Sequence, residues 1–445
     1  MNKNITTIVA LFSALMVLNT TLSAQEVKKL SVNEAVTLGL QSSKHLKIDQ
    51  AKILEATAAV EEAKNNRLPD LKIGGAYMRL TSAHIDMKRA QEQEEGSGDG
   101  SAVPEISQAM YGMANFSLPL YAGGKIRYGI QSAGYLLEAA KLNTGNDEKA
   151  VAYNLIEAYA NLFKAARVID VIKENLAASE NRDSSFIRLE NNGLMARNDR
   201  LKAQLQTSDI ELQLLEAQHN YNIANVNMDL LLGLPETTVI EVDPAFIDQG
   251  SDDRPLVYYE DQALQNREDI QALGYQQKAA ALGIKVAKAE YLPALALTGG
   301  YIAVNVPKFL SVTNAINGGL GVQYNLSSLW KTGAAVKKAK AQAQELSASS
   351  ELLADNIRLQ INRDYQRSIL TKRKIEVYNK AEVQAAENYR ITKNKYDNSL
   401  VTITDLLDAN VALLSSKINV LNAKADAALA YQKLLESSGI LPAQH

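Results

Sequence analysis

The 445-residue chain contains no cysteine. Disulfides, thiolate metal sites, a cysteine nucleophile and lipid attachment through a thiol are therefore excluded. Histidine is scarce: His45, His84, His219 and His445 are scattered and do not suggest a histidine metal cluster. Only nine prolines interrupt the chain, which leaves room for long helices. Aromatic residues make up 6%, with one Trp and six Phe, although 46% of residues are hydrophobic. The apolar material is thus mostly Ala, Leu, Ile and Val, as in packed helices. Neither sign of charge dominates. With 47 basic against 50 acidic residues the formal charge is −3, so the basic face of a nucleic-acid binder is missing. Beyond the first residues, no segment approaches the roughly 18 apolar residues of a membrane helix. A mature chain that enters a membrane must do so with strands.

The amino terminus supplies the one apolar run. Lys3 precedes an apolar stretch from Ile5 to Leu18, and Leu22-Ser23-Ala24 offers small residues for cleavage. This is the pattern of a signal peptide over 1–24. A transmembrane helix fits less well, because the run is short and Asn and Thr follow it.

The rest reads as a duplication. Leu68, Pro69, Leu71, Gly75 and Tyr77 return as Leu292, Pro293, Leu295, Gly299 and Tyr301, offset by 224 residues. Tyr159, Asn192, Leu194, Asp199, Ala203 and Gly233 return as Tyr365, Asn398, Leu400, Asp405, Ala409 and Gly439, offset by 206. Repeats of this size are too long for a solenoid unit. The expected division is a first repeat over 25–235, a polar linker over 236–253 and a second repeat over 254–445.

Each repeat reads helix, strand, strand, helix, helix. The first helices are expected near Val32–Asn66 and Tyr258–Glu290, each ended by Leu-Pro. Strands follow with a period of two. Leu71, Ile73, Gly75 and Tyr77 share a face, as do Leu295, Leu297, Gly299 and Tyr301. On the return strands Ala114, Phe116, Leu118 and Leu120 share a face, as do Leu320, Val322, Tyr324 and Leu326. The acidic, glycine-containing segment Gln91–Ser101 reads as an exposed loop. Heptad seams run through Val151, Leu155, Ala158, Leu162, Ala165, Ile169, Ile172 and Leu176, and from Leu407 through Leu414, Leu421 and Ala428 to Leu435. Helix pairs of about 60 and 35 residues are expected to turn near Asn191–Leu194 and Asn398–Leu400. The longer member would reach roughly 90 Å at 1.5 Å per residue.

Four strands per chain cannot span lipid as an open sheet, because the edges leave backbone groups unpaired. They form either a small soluble sheet or a share of a barrel closed between chains. Three chains would bring twelve strands, above the roughly eight of the smallest bacterial barrels. No phosphate loop or nucleophile motif is present: Gly123-Gly124-Lys125 lacks the required spacing and the following Ser or Thr. Trp330, at an expected strand-to-helix joint, suits either an interfacial anchor or ordinary packing.

The doubled Leu68-Pro69 and Leu292-Pro293 joints, the segment Phe116–Gly124 and the paired turns Asn192–Asp199 and Ser399–Ala409 resemble the TolC-like outer membrane efflux protein family. The resemblance covers nearly all of the mature chain. It implies a mainly α-helical homotrimer in which a twelve-stranded transmembrane β-barrel continues as a twelve-helix periplasmic α-barrel. Such a duct is not an enzyme and carries no cofactor. It meets outer membrane lipid, a periplasmic adaptor and an inner-membrane pump, and no nucleic acid. Asp405 and Asp408, three apart on one helical face, would form the constriction at the periplasmic aperture under threefold symmetry. Tyr396 and Asp199 match the family's entrance latch. An arginine of that latch is replaced here by Val401, which points to closure by packing. Gly193 and Leu194, with Ser399, Leu400 and Val401, match the tips that meet the adaptor. The alternatives are a periplasmic coiled-coil adaptor or structural protein with a soluble sheet, and an exported enzyme on a helical scaffold.

Overall fold

Ser31 accepts the backbone N–H of Glu34, and the Glu34 carboxylate accepts the Ser31 N–H at 2.8 Å. This reciprocal cap starts the first helix where the sequence turns amphipathic. The computed structural model describes residues 27–83, 106–248, 254–307 and 309–442. The expected signal peptide and the acidic loop at 91–101 lie outside them. The elements in order are β1 (Val27–Leu30), α1 (Val32–Ser42), α2 (Lys44–Asn65), β2 (Asp70–Ala83), β3 (Ile106–Ala122), α3 (Lys125–Asn191), α4 (Arg197–Leu232) and β4 (Val239–Val242). After a 3-10 turn at Pro244–Asp248 come α5 (Leu256–Asn266), α6 (Glu268–Ala289), β5 (Ala294–Val306), β6 (Leu310–Gln323), α7 (Ser328–Asp397) and α8 (Ile403–Ser437). The chain divides into one unit of residues up to 50, 143–270 and 353 onward, and a second of 51–142 and 271–352.

The second unit holds an antiparallel sheet in the order β2-β3-β5-β6. Its register sorts the side chains by face. Leu71 lies beside Phe116 and Phe116 beside Gly299, while Ile73, Ala114, Tyr301 and Ile316 form the next row on the same face. Lys72, Asn115, Gly300 and Asn317 form a row on the opposite face. The apolar face is bare: Ile73 is 82% exposed and Ile316 81%. Among the described residues β2 and β6 each pair along one edge only. Register shifts interrupt each of the three pairings, between Arg79 and Ala83, between Pro119 and Tyr121, and between Ile302 and Val304, and two departures alter the expected faces. The register shifts between Pro119 and Tyr121, so Tyr121 rather than Leu120 continues the row beside Leu295. Proline cannot donate to a ladder, and a bulge absorbs it. Strand β6 stops at Gln323, leaving Tyr324 and Leu326 outside the expected strand.

The first unit is helical and carries the main core. Leu155, Tyr159, Leu162, Phe163, Met228 and Leu232 are almost wholly buried. The expected heptad positions are buried or half-buried. The expected helix Val32–Asn66 is broken at Ser43, whose ψ of 119° is extended; Tyr258–Glu290 is broken at Arg267, ψ 123°. The two breaks are 224 residues apart, so they belong to the duplication. Each is held by side chains that the helical period does not report. Ser42 donates to the Leu232 carbonyl at 2.7 Å. Arg267 pairs with Asp269 at 2.6 Å and donates to the Ser437 carbonyl.

Part of the expected polar linker is ordered into β4, which runs parallel to β1. Tyr159 locks this small sheet. Its hydroxyl donates to the Leu30 carbonyl at 2.8 Å and accepts the Asp243 N–H at 2.6 Å. Asn225 acts like a further strand: its amide donates to the Thr238 carbonyl and accepts the Ile240 N–H. Burial raises the Tyr159 phenol to about 12.

Candidate functional site

The sequence-derived candidates all fall at the two long-helix turns of the first unit. Helix α3 ends with Gly193 in the left-handed region at φ 72°. The Leu194 N–H bonds the Leu189 carbonyl at 2.9 Å, and the Gly193 N–H bonds the Glu190 carbonyl at 2.8 Å. Helix α7 ends in the same way: Leu400 bonds Lys395 at 2.9 Å and Ser399 bonds Tyr396 at 2.8 Å. These are Schellman closures, which satisfy carbonyls the helix end would orphan. Ser399 adopts φ 62° without being glycine, so the second turn carries local strain. Leu194 and Leu400 are 75% and 72% exposed, two apolar knobs on the outer surface of the turns.

The following helices begin differently. Thr402 caps α8, and its hydroxyl donates to the Asp405 carboxylate at 2.6 Å. The Thr402 N–H reaches the same oxygen at 2.8 Å. These bonds hold the Asp405 carboxyl below the usual carboxylate range. Ala196 stands at the equivalent place before α4 and gives no side-chain cap. Asp199, the counterpart of Asp405, instead faces Lys202 at 3.5 Å. Asp405 and Asp408 are both exposed on α8, opposite the buried Ile403, Leu406, Leu407 and Ala409.

Behind the turns lies an apolar cluster of Phe186, Ala203, Ile403, Leu406 and Leu407. Tyr396 packs against it, its ring edge-on to Phe186 at 5.9 Å. Burial first, then the charges of Asp199 and Asp397, raise the Tyr396 phenol. Tyr396 and Asp199 are thus brought near each other, although no hydrogen bond joins them among the described residues. The repeat offset sets Tyr396 against Glu190 and Leu406 against Arg200. In the first turn Glu190 and Arg200 form an ion pair; in the second, Tyr396 and Leu406 share the apolar cluster. The same closure is made once with charge and once with packing.

Sequence reasoning missed a polar seam further from the turns. Arg182 donates to Ser179, the Ser179 and Thr207 hydroxyls lie 2.7 Å apart, and Thr207 donates to Asp183 at 2.6 Å. Arg182 Nε and Asp183 Oδ1 are buried without a partner among the described residues, so this contact between α3 and α4 is incompletely satisfied there. Elsewhere His45 and Asp49 pair at 3.2 Å across one helical turn, with Asp147 close by. Trp330 is 69% exposed.

The outer membrane efflux protein family matches residues 36–234 and 260–439 of the chain. The fold is similar to that of the outer membrane protein VceC from Vibrio cholerae, with a TM-score of 0.73 and 20% identity over 92% of this chain and 96% of that one. The CmeC outer membrane channel of Campylobacter jejuni gives 0.75 at 18% identity, over 93% of this chain and 86% of that one. A membrane protein from Pseudomonas aeruginosa gives 0.77 at 16% identity, over 94% and 93%. No curated protein matches the chain.

Proposed function

Because the chain belongs to the outer membrane efflux protein family and serves as an outer-membrane exit duct of a tripartite efflux system, we propose how its parts make that duct. Three copies pool their four-stranded sheets into one closed barrel of twelve strands, and their helices continue it into the periplasm as a second, α-helical barrel. The observation that carries this reading is the sheet. One face exposes Leu71, Ile73, Ile316, Leu320 and Val322, the other bears Lys72, Asn115 and Asn317, and both edges are open. Lipid suits the first face, water the second, and only closure satisfies the edges.

At the periplasmic end, threefold symmetry brings six carboxylates from Asp405 and Asp408 around one axis. Such a ring attracts cations and narrows the aperture. The Tyr396 phenol, beside Asp199, latches the closed state, with packing replacing the ionic contact that Val401 cannot make. The exposed tips, Gly193-Leu194 and Ser399-Leu400-Val401, receive the helical hairpins of a periplasmic adaptor coupled to an inner-membrane pump. The chain performs no chemistry itself; transport is driven by the pump.

The absence of native cysteine makes the test clean. A cysteine in place of Ile73 on β2 is combined in turn with single cysteines along β6 from 312 to 322. Cross-linked trimers in intact cells are expected at one register. Failure of every pair would contradict the shared barrel, and recovery of the chain in the soluble periplasm would favour the adaptor reading.

A further inference from the structure

The sheet carries very little charge. Across β2, β3, β5 and β6 the only charged side chains are Asp70, Lys72 and Arg79. Strand alternation puts Arg79 on the apolar face with Tyr77 and Ile73, near the end of β2 remote from Asp70. Asp70 and Lys72 are on the other face. That face is otherwise neutral: around Lys72 it carries Asn115, Ser117, Thr298 and Asn317 with glycines, and further along the strands it turns apolar with Met78, Met113 and Ile302. Gly300 makes room at the centre of the Lys72 row. A Cβ there would stand 3.2 Å from Asn317 Oδ1 and 3.3 Å from Asn115 Oδ1, so the two amides lean together over the bare position.

We propose that Lys72 and Asp70 form a charge-compensated belt on the inner wall of the barrel, which keeps that wall from discriminating between ions and solutes of opposite sign. The inference rests on the duct reading above. Lys72 Nζ and Asp70 Oδ2 are 2.8 Å apart, and both side chains are largely exposed, 76% and 58%. They are therefore available to the lumen and are not part of a core.

The dimensions make the belt effective. Strands about 4.8 Å apart and tilted by about 40° close twelve into a backbone circle about 24 Å across. Lysines reaching roughly 6 Å inward then bring three ammonium groups to about 10 Å from one another, close to the Debye length in 0.1 M salt. Their fields overlap across the passage. Each is offset by one carboxylate, so the belt is neutral as a whole. Removing either partner leaves three like charges on a sheet face where the strands place no other charge among the described residues.

The test is the reversal potential of single channels in a planar bilayer under a KCl gradient. The tip is first opened with Tyr396→Phe, Asp405→Ala and Asp408→Ala, so that the barrel contributes to selectivity. In that background Lys72→Gln should raise the cation-to-anion permeability ratio about twofold or more, and Asp70→Asn should lower it by a similar factor. The double change should restore the starting ratio. Channels that conduct but show the same ratio in all four proteins would overturn the belt while leaving the duct intact. A parent protein that forms no channels would instead overturn the duct reading, and the belt with it.

Discussion

The Thr402 hydroxyl and the Asp405 carboxylate are 2.6 Å apart, and the same oxygen accepts the Thr402 N–H. Asp405 therefore begins helix α8 as well as standing at the proposed aperture. The Thr402 hydrogen bonds, which hold its carboxyl below the usual carboxylate range, favour the ionised form that both tasks require. Asp408, one turn further on, has no such duty in the described contacts. The two residues separate by experiment.

Asp408→Ala should raise single-channel conductance and weaken block by a trivalent cation without loosening the turn. Asp405→Ala should do both and also increase amide exchange over residues 402–406, since the carboxylate half of the capping box is lost. Thr402→Val should increase that exchange while preserving block. Unchanged block in both aspartate variants would remove the pair from the constriction.

Tyr396→Phe removes a hydroxyl and keeps the ring against Phe186. Proteolysis and helicity should be unaffected, whereas uptake of a large antibiotic across the outer membrane should increase several-fold. Normal uptake would assign Tyr396 to packing alone.

Tyr159→Phe removes the donor to the buried Leu30 carbonyl and the acceptor in the half-buried bond from the Asp243 N–H. An orphaned buried hydrogen-bonding group costs about 1–3 kcal/mol. The expected result is faster proteolysis near residues 27–30 and 239–248 with the sheet of the second unit unchanged. Equal cleavage rates would contradict the locking role.

Asp229 gives a pH dependence. Burial, helped by Glu236, raises its carboxyl to about 6 from an unfolded value of 3.8. The folded state thus favours the proton. The associated stability is complete below about pH 4 and is lost as pH rises through about 6. Protection factors around β4, with the intrinsic base-catalysed rise removed, should fall between pH 5 and 7. Asp229→Asn should flatten that profile while keeping an acceptor for Asn225, which donates to Asp229 at 2.9 Å. A fall in protection that survives the substitution would place the titration elsewhere.

Much of this architecture was legible because its signals are local. Leu-Pro marks each entrance to the sheet, the period of two sorts Leu71 from Lys72, and Gly193 and Gly233 mark helix ends through left-handed backbone. The duplication then doubled every signal. What escaped depends on contacts distant in sequence. Strands β1 and β4 are four residues each and pair across about two hundred residues, held by Tyr159 and Asn225. The breaks at Ser43 and Arg267 interrupt helices whose apolar period continues through them. The capping role of Asp405 could have been read from Thr402, three residues before it. The seam of Ser179, Thr207 and Asp183 could not, since the pairing of α3 with α4 decides which polar residues meet.

The account stands on three copies completing what one chain leaves open along β2 and β6. Native mass spectrometry of the particle extracted from outer membranes in mild detergent measures this directly. It should show three identical chains, stable until the sheet is unfolded by heating. A monomeric particle with its sheet intact would contradict it.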